Sequence, residues 1–127
     1  MKRILVVDDE PDMVNVIKLR LEANKYEVLV ASDGPEGLNI ARIQRPDLII
    51  LDIMLPKMDG FKVSRMLKYD ERFKNIPIIM FSAKVQSSDI ERGREMGADA
   101  YITKPFKAED LLAKIRELLD AKEKRSA

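Results

Sequence analysis

Five short apolar runs, each followed by a stretch with helical periodicity, constrain this chain more than any other feature. They are Ile4–Val7, Val28–Ala31, Leu48–Leu51, Ile78–Phe81 and Ala100–Ile102, spaced roughly 20–30 residues apart. Each is rich in β-branched or bulky apolar side chains. Near-continuous apolar strands are buried on both faces, as in a parallel sheet covered by helices.

Between the runs, Met13, Val14, Ile17 and Leu21 share one helical face behind Asp12. Asp33-Gly34-Pro35-Glu36 reads as a helix start, because proline in a first turn sacrifices no hydrogen bond. Leu38, Ala41 and Ile43 carry that helix on, and Pro46 marks its stop. A third helix is predicted from Phe61 to Tyr69, after the turn Leu55-Pro56-Lys57-Met58-Asp59-Gly60. Ser87-Ser88-Asp89 reads as the cap of a fourth. Leu111, Leu112, Ile115, Leu118 and Leu119 form the clearest amphipathic stripe, on a fifth. The fourth helix has only Ile90 and Met96 as large apolar residues, so it is predicted to dock least firmly. The alternation predicts a doubly wound (βα)5 domain, α/β in class, around a central five-stranded parallel sheet with right-handed crossovers. One domain covers residues 1–121, and the charged segment 122–127 is predicted to fray or to begin a linker.

Composition removes several function classes. With no cysteine and no histidine, there is no disulfide framework, no thiolate site and no imidazole base or zinc ligand. A formal net charge of +1 gives no support for direct nucleic-acid or membrane binding. The apolar start of the chain is cut off by Asp8 and Asp9, too short for a signal peptide. A cytoplasmic location is therefore expected.

In open α/β sheets, ligands bind beyond the carboxyl ends of the strands. The residues just past each run are Asp8, Asp9 and Glu10, then Asp52, Ser82, and Thr103-Lys104-Pro105. Each has a plain structural reading when taken singly. Asp8 and Asp9 can open a helix. Asp52 can start a loop, Ser82 can cap a strand end, and Lys104 can be a solvated lysine. Together they are harder to dismiss, because crowded carboxylates repel unless a cation joins them. An all-oxygen site selects a hard ion such as Mg²⁺. Lys104 then offers a point charge to a phosphoryl oxygen.

The motifs Ile4-Leu5-Val6-Val7-Asp8-Asp9-Glu10, Asp47-Leu48-Ile49-Ile50-Leu51-Asp52-Ile53-Met54-Leu55-Pro56, Met58-Asp59-Gly60, Ser82-Ala83, Gly97-Ala98-Asp99 and Lys104-Pro105-Phe106 resemble the receiver domain of two-component response regulators. The resemblance runs from about residue 2 to 120 and is nearest the single-domain, chemotaxis-regulator-like form. It implies a flavodoxin-like sheet of order 2-1-3-4-5. It makes Asp52 the phosphoacceptor and Asp9 a direct Mg²⁺ ligand, with Asp8 nearby acting mostly through water. Asp52 and the backbone carbonyl of Met54 would be further ligands, and Mn²⁺ could stand in for Mg²⁺. Ser82 and Lys104 would hold phosphoryl oxygens, and Lys104-Pro105 would be cis. Ser82 and Tyr101 would form the switch, and the fourth helix, fifth strand and fifth helix the output face.

By that resemblance the donor is a sensor histidine kinase or phosphotransfer protein, and the output is a downstream protein target. The chain would catalyse only its own phosphorylation and dephosphorylation and would not be a multiple-turnover enzyme. Neither Met54 nor Lys84 is a carboxylate or amide able to orient water, so slow self-dephosphorylation is expected. Other readings stay open: a phosphorylation-independent interaction module, or the receiver part of a larger DNA-binding regulator. An aspartyl-intermediate hydrolase would want a second acid two residues after its nucleophile, and Asp52-Ile53-Met54 has none. A nucleotide-binding protein would want a glycine-rich first loop in place of Asp8-Asp9-Glu10-Pro11.

Overall fold

The computed structural model describes residues 1–83 and 86–126. Five strands and five helices alternate along the chain: β1 Arg3–Val7, α1 Pro11–Ala23, β2 Glu27–Ala31, α2 Gly34–Gln44, β3 Leu48–Asp52, α3 Gly60–Lys68, β4 Ile78–Ser82, α4 Ser87–Glu95, β5 Ala100–Thr103 and α5 Ala108–Ser126. The strands are all parallel, in the order β2-β1-β3-β4-β5. The expected doubly wound, flavodoxin-like topology is the one found.

The apolar runs are continuous because both faces of the sheet are covered. Successive strand side chains point to opposite faces. Leu5, Val7, Ile49, Leu51, Ile78 and Met80 therefore pack with Leu38 and Ala41 of α2 and with Phe61, Val63 and Leu67 of α3. Ile4, Val6, Leu48, Ile50, Ile79 and Phe81 face the other way, onto Val14, Ile17 and Leu21 of α1 and Leu111, Ile115 and Leu119 of α5. Helix α4 contributes only Gly93 to the buried interior. The sequence expectation of a thin core face there holds.

Local starts, stops and facings differ from expectation along the chain; α3, for one, runs from Gly60 to Lys68 where Phe61 to Tyr69 was expected. Helix α1 begins one residue before Asp12, at Pro11, with extended Glu10 as its N-cap. On α2, Asp33 caps as expected by accepting the Glu36 N–H at 2.8 Å. Ile43, expected on its inner face, is 68% exposed. The helix ends at Arg45, in the left-handed region at φ 47°, and the Arg3 guanidinium donates to the Gln44 backbone carbonyl. For α4 the N-cap is Gln86, without a side-chain cap bond, so Ser87, Ser88 and Asp89 are helical residues. The segment from residue 122, expected to fray, continues α5 to Ser126. Lys2 pairs with Glu123 at 2.9 Å there, a contact between the two chain ends that local sequence does not announce. Among the described residues, no helix is long and apolar enough to cross a membrane.

Candidate functional site

The order of the strands decides where chemistry can gather. Consecutive connections run to opposite sides of β1, so the loops leaving β1 and β3 part and open a crevice at their carboxyl ends. Asp8 follows β1 and Asp52 ends β3. Both are buried, as is Ser82 at the end of β4.

The ammonium of Lys104 joins them. Its Nζ lies 3.0 Å from Asp8 Oδ2, 3.0 Å from Glu10 Oε1 and 3.1 Å from Asp52 Oδ2. A lysine ammonium has three N–H donors, and all three are accounted for here. It also sits 4.8 Å from the centre of the Phe81 ring. The other carboxylate oxygens turn back on the backbone. Asp8 Oδ1 accepts the Glu10 N–H at 3.0 Å, and Asp52 Oδ1 accepts the Met54 N–H at 3.0 Å. Each acid is thus held by the chain two residues on, with its second oxygen left for a cation.

Burial pulls the Lys104 ammonium down. The hydrogen bonds it donates to Glu10, Asp8 and Asp52 outweigh it and set the group above its ordinary value. Asp8 moves the other way from most paired acids. Burial raises it, against the Glu10 amide and the Lys104 bond, which lower it. Its charge is therefore under-compensated, since one ammonium serves three carboxylates.

The carboxylate oxygens of Asp8, Glu10 and Asp52 lie within 4.8 Å of one another. Their donor set is all oxygen and suits a hard divalent cation. The sequence points to Asp8 and Asp52 as ligands, and places Glu10 past the first strand without giving it a role at the site. Asp9 is exposed, outside this trio, and lines a neighbouring cleft with Met54, Asp59, Phe61 and Arg92. Alternation explains the split: around extended Glu10, side chains 8 and 10 share one side and 9 takes the other. That period-two pattern was the available signal for Glu10.

Lys104-Pro105 is cis, and the Lys104 N–H donates to the Ser82 carbonyl at 2.8 Å, tying β5 to β4 at the site. Tyr101 is half-buried. Burial raises its hydroxyl above the ordinary value, with the charges of Asp89 and Asp52 adding to that. Met54 is 61% exposed at the cleft mouth. Lys84 lies outside the described residues. The loop back from Met54 is drawn in tightly at Gly60, whose N–H donates to the Ile53 carbonyl at 2.8 Å. A Cβ at Gly60 would run into the Asp52 carbonyl oxygen.

The fold and this crevice define a doubly wound α/β domain with an acidic, lysine-bridged pocket at the sheet's carboxyl edge. A response regulator receiver domain model matches residues 4–116, and the chain belongs to that family. It is 46% identical over 119 residues to the DNA-binding dual master transcriptional regulator RpaA of Synechocystis, covering 94% of this chain and 49% of that protein. It is 44% identical to the alkaline phosphatase synthesis transcriptional regulatory protein PhoP of Bacillus subtilis, over 93% of this chain and 48% of that protein. The chain spans about half the length of these curated relatives. Among solved structures, a CheY-like receiver domain from Methanospirillum hungatei superposes with a TM-score of 0.92 at 35% identity, over 98% of both chains.

Proposed function

We propose that this chain is a phosphorylation switch that accepts a phosphoryl group on Asp52 from a sensor histidine kinase or phosphotransfer protein. The observation that carries the reading is the trio Asp8, Glu10 and Asp52 gathered on the Lys104 ammonium.

Asp52 Oδ1 is engaged by the Met54 N–H, so Oδ2 is the oxygen free to attack phosphorus once Lys104 releases it. The new P–O bond forms as the P–N bond of the donor phosphohistidine breaks, and the electron pair stays on the imidazole. Lys104 keeps its donor count by shifting one N–H from Oδ2 to a phosphoryl oxygen. It then stabilises the charge spread over the equatorial oxygens. The Ser82 hydroxyl takes another of those oxygens. Asp8, Asp9, Asp52 and the Met54 carbonyl are the proposed holders of Mg²⁺ or Mn²⁺, which supplies positive charge to the phosphoryl group when bound. The chain acts on itself alone, without multiple turnover. Exposed Met54 cannot orient a water, so self-dephosphorylation is slow.

The output face in this reading is α4, β5 and α5, and its contact is with a partner protein in the cytoplasm, without direct nucleic-acid binding by this chain. Uneven attachment of α4 supports that. Its C-terminal end is tied to α3. Ser64 donates to the Met96 carbonyl at 2.8 Å, and the Tyr69 hydroxyl to the Glu95 carbonyl at 3.2 Å. Lys68 pairs with Asp99 at 2.8 Å just beyond. The N-terminal end has no side-chain cap bond. Movement of Ser82 and Tyr101 would swing the N-terminal end about the anchored one.

The test is intact mass after incubation with Mg²⁺ and a small phosphodonor, beside Asp52→Asn. A gain of one phosphoryl group in the wild type alone is expected. Equal labelling of Asp52→Asn, or none in the wild type, sinks the reading. A second reading is favoured by the names and length of the relatives: this receiver is one part of a longer DNA-binding regulator. The coding sequence beyond residue 127 decides that point.

A further inference from the structure

One cation beside the acidic trio has no part in the scheme above. Arg92 projects from the middle of α4 and lines a cleft of about 490 Å³ with Asp9, Met54, Pro56, Asp59 and Phe61. Its guanidinium lies over the Phe61 ring, 4.6 Å from the centroid. Phe61 is only 4% exposed, so the ring is a fixed platform. A guanidinium stacked on a ring keeps its N–H edge for a planar anion, and carboxylate matches that edge in two-point fashion. Asp9 and Asp59 share the cleft, yet neither forms an ion pair with Arg92. The Asp59 carboxylate is occupied with the Lys62 N–H of α3 at 2.9 Å.

The geometry of displacement gives this cleft a use. In an in-line transfer the leaving group departs on the side of phosphorus opposite the attacking oxygen. Asp52 is buried at the strand end, so departure is toward solvent. Ile53 and Met54, immediately after the acceptor, line this cleft together with Asp9 and Arg92.

We propose that Arg92 is a leaving-group contact, which binds the carboxylate released from an acyl phosphate and so makes acyl phosphates favoured small donors. The proposal rests on Asp52 as the acceptor. Asp52 Oδ2 forms the new P–O bond, and the bond from phosphorus to the acyl oxygen breaks. The electron pair stays on the departing carboxylate, where the Arg92 N–H edge meets it, and no proton need be supplied. A phosphoramidate donor differs at one point: its P–N bond breaks and the already protonated nitrogen leaves as neutral ammonia. Arg92 has no charge to meet in that case.

Initial phosphorylation rates by intact mass, with acetyl phosphate and with phosphoramidate, separate this role from simple packing of α4 on Phe61. Arg92→Gln is expected to slow the acetyl phosphate reaction about tenfold, the loss of one charge-assisted hydrogen bond. The phosphoramidate rate should stay within about twofold, as should beryllofluoride affinity by NMR titration, since that mimic has no leaving group. Arg92→Lys should recover part of the acetyl phosphate rate. Equal slowing with both donors, or no slowing with either, overturns the assignment. No labelling of the wild type, or undiminished labelling of Asp52→Asn, overturns the acceptor reading itself and this proposal with it.

Discussion

Gly93 sits where α4 meets the sheet, and replacing it by alanine should strengthen the loosest helix in the fold. A Cβ built there would lie 3.6 Å from Met80 Cγ, 3.6 Å from Tyr101 Cδ2 and 3.7 Å from Phe61 Cε1, all ordinary contact distances. Nothing must move to admit it. Alanine is favoured over glycine in a helix interior by about 1 kcal/mol. One buried methyl adds about 0.8 kcal/mol. The expected gain is therefore between about 1 and 2 kcal/mol, or about 3–8 °C in Tm for a domain of this size. Urea and thermal unfolding followed by far-UV circular dichroism measure it. Unchanged or lowered stability would refute the reasoning, because it would mean that α4 is not seated on Met80 and Phe61 as described. The methyl also packs against the resting position of Tyr101. If Tyr101 turns inward on activation, that contact is lost, and beryllofluoride should bind about fourfold more weakly.

The opposite outcome is expected at Gly60, where Gly60→Ala drives a methyl into the Asp52 carbonyl oxygen. It should lower Tm and abolish labelling by a phosphodonor, and retained labelling would count against the tight loop. Asp8→Asn should raise Tm in EDTA, since burial makes the Asp8 charge unfavourable without a metal. Wild type should gain about 1.4 kcal/mol from Mg²⁺ at ten times its Kd, and Asp8→Asn should lose most of that gain in the same thermal scan. Far from the site, the Arg72 side chain holds the Asp70 carboxyl down to about 2 from an ordinary 3.8. A depressed acid contributes stability above its unfolded value, and this is lost as pH falls from about 3.8 toward 2. An NMR titration should place the Asp70 midpoint near the lower value, and Arg72→Gln should raise it part of the way to the ordinary one, since the backbone N–H of residue 72 still donates to Asp70 Oδ1.

Strand positions, the faces of α1 and α5 and the strand-end residues Asp8, Asp52, Ser82 and Lys104 were all legible in the sequence. Each depends on local periodicity combined with a topological rule, and both were visible along the chain. What was not legible depended on contacts between distant segments. Arg3, on β1, reaches the Gln44 carbonyl and so helps to fix where α2 stops and why Ile43 faces water. Glu123 is held in helix by Lys2 at the other end of the chain. Glu10 stands among the strand-end residues without a role legible in the sequence, because its partner Lys104 lies just past the farthest strand.

That last contact bears on how the site can work. Lys104 fills with its own ammonium the place between carboxylates that a divalent cation would otherwise take. The three carboxylates are thereby held together against their mutual repulsion, yet the crevice remains short of positive charge. A buried acid raised by desolvation and a lysine with every donor engaged are two sides of that imbalance. In the proposed reading a divalent cation and a phosphoryl group would enter together, because a phosphoryl oxygen could accept the one Lys104 N–H now given to Asp52. Entry of the cation alone leaves Lys104 competing for the same oxygens. Phosphorylation and metal binding should therefore be mutually reinforcing. Lys104 would carry the coupling, since among the described residues it contacts Asp8, Glu10 and Asp52 at once.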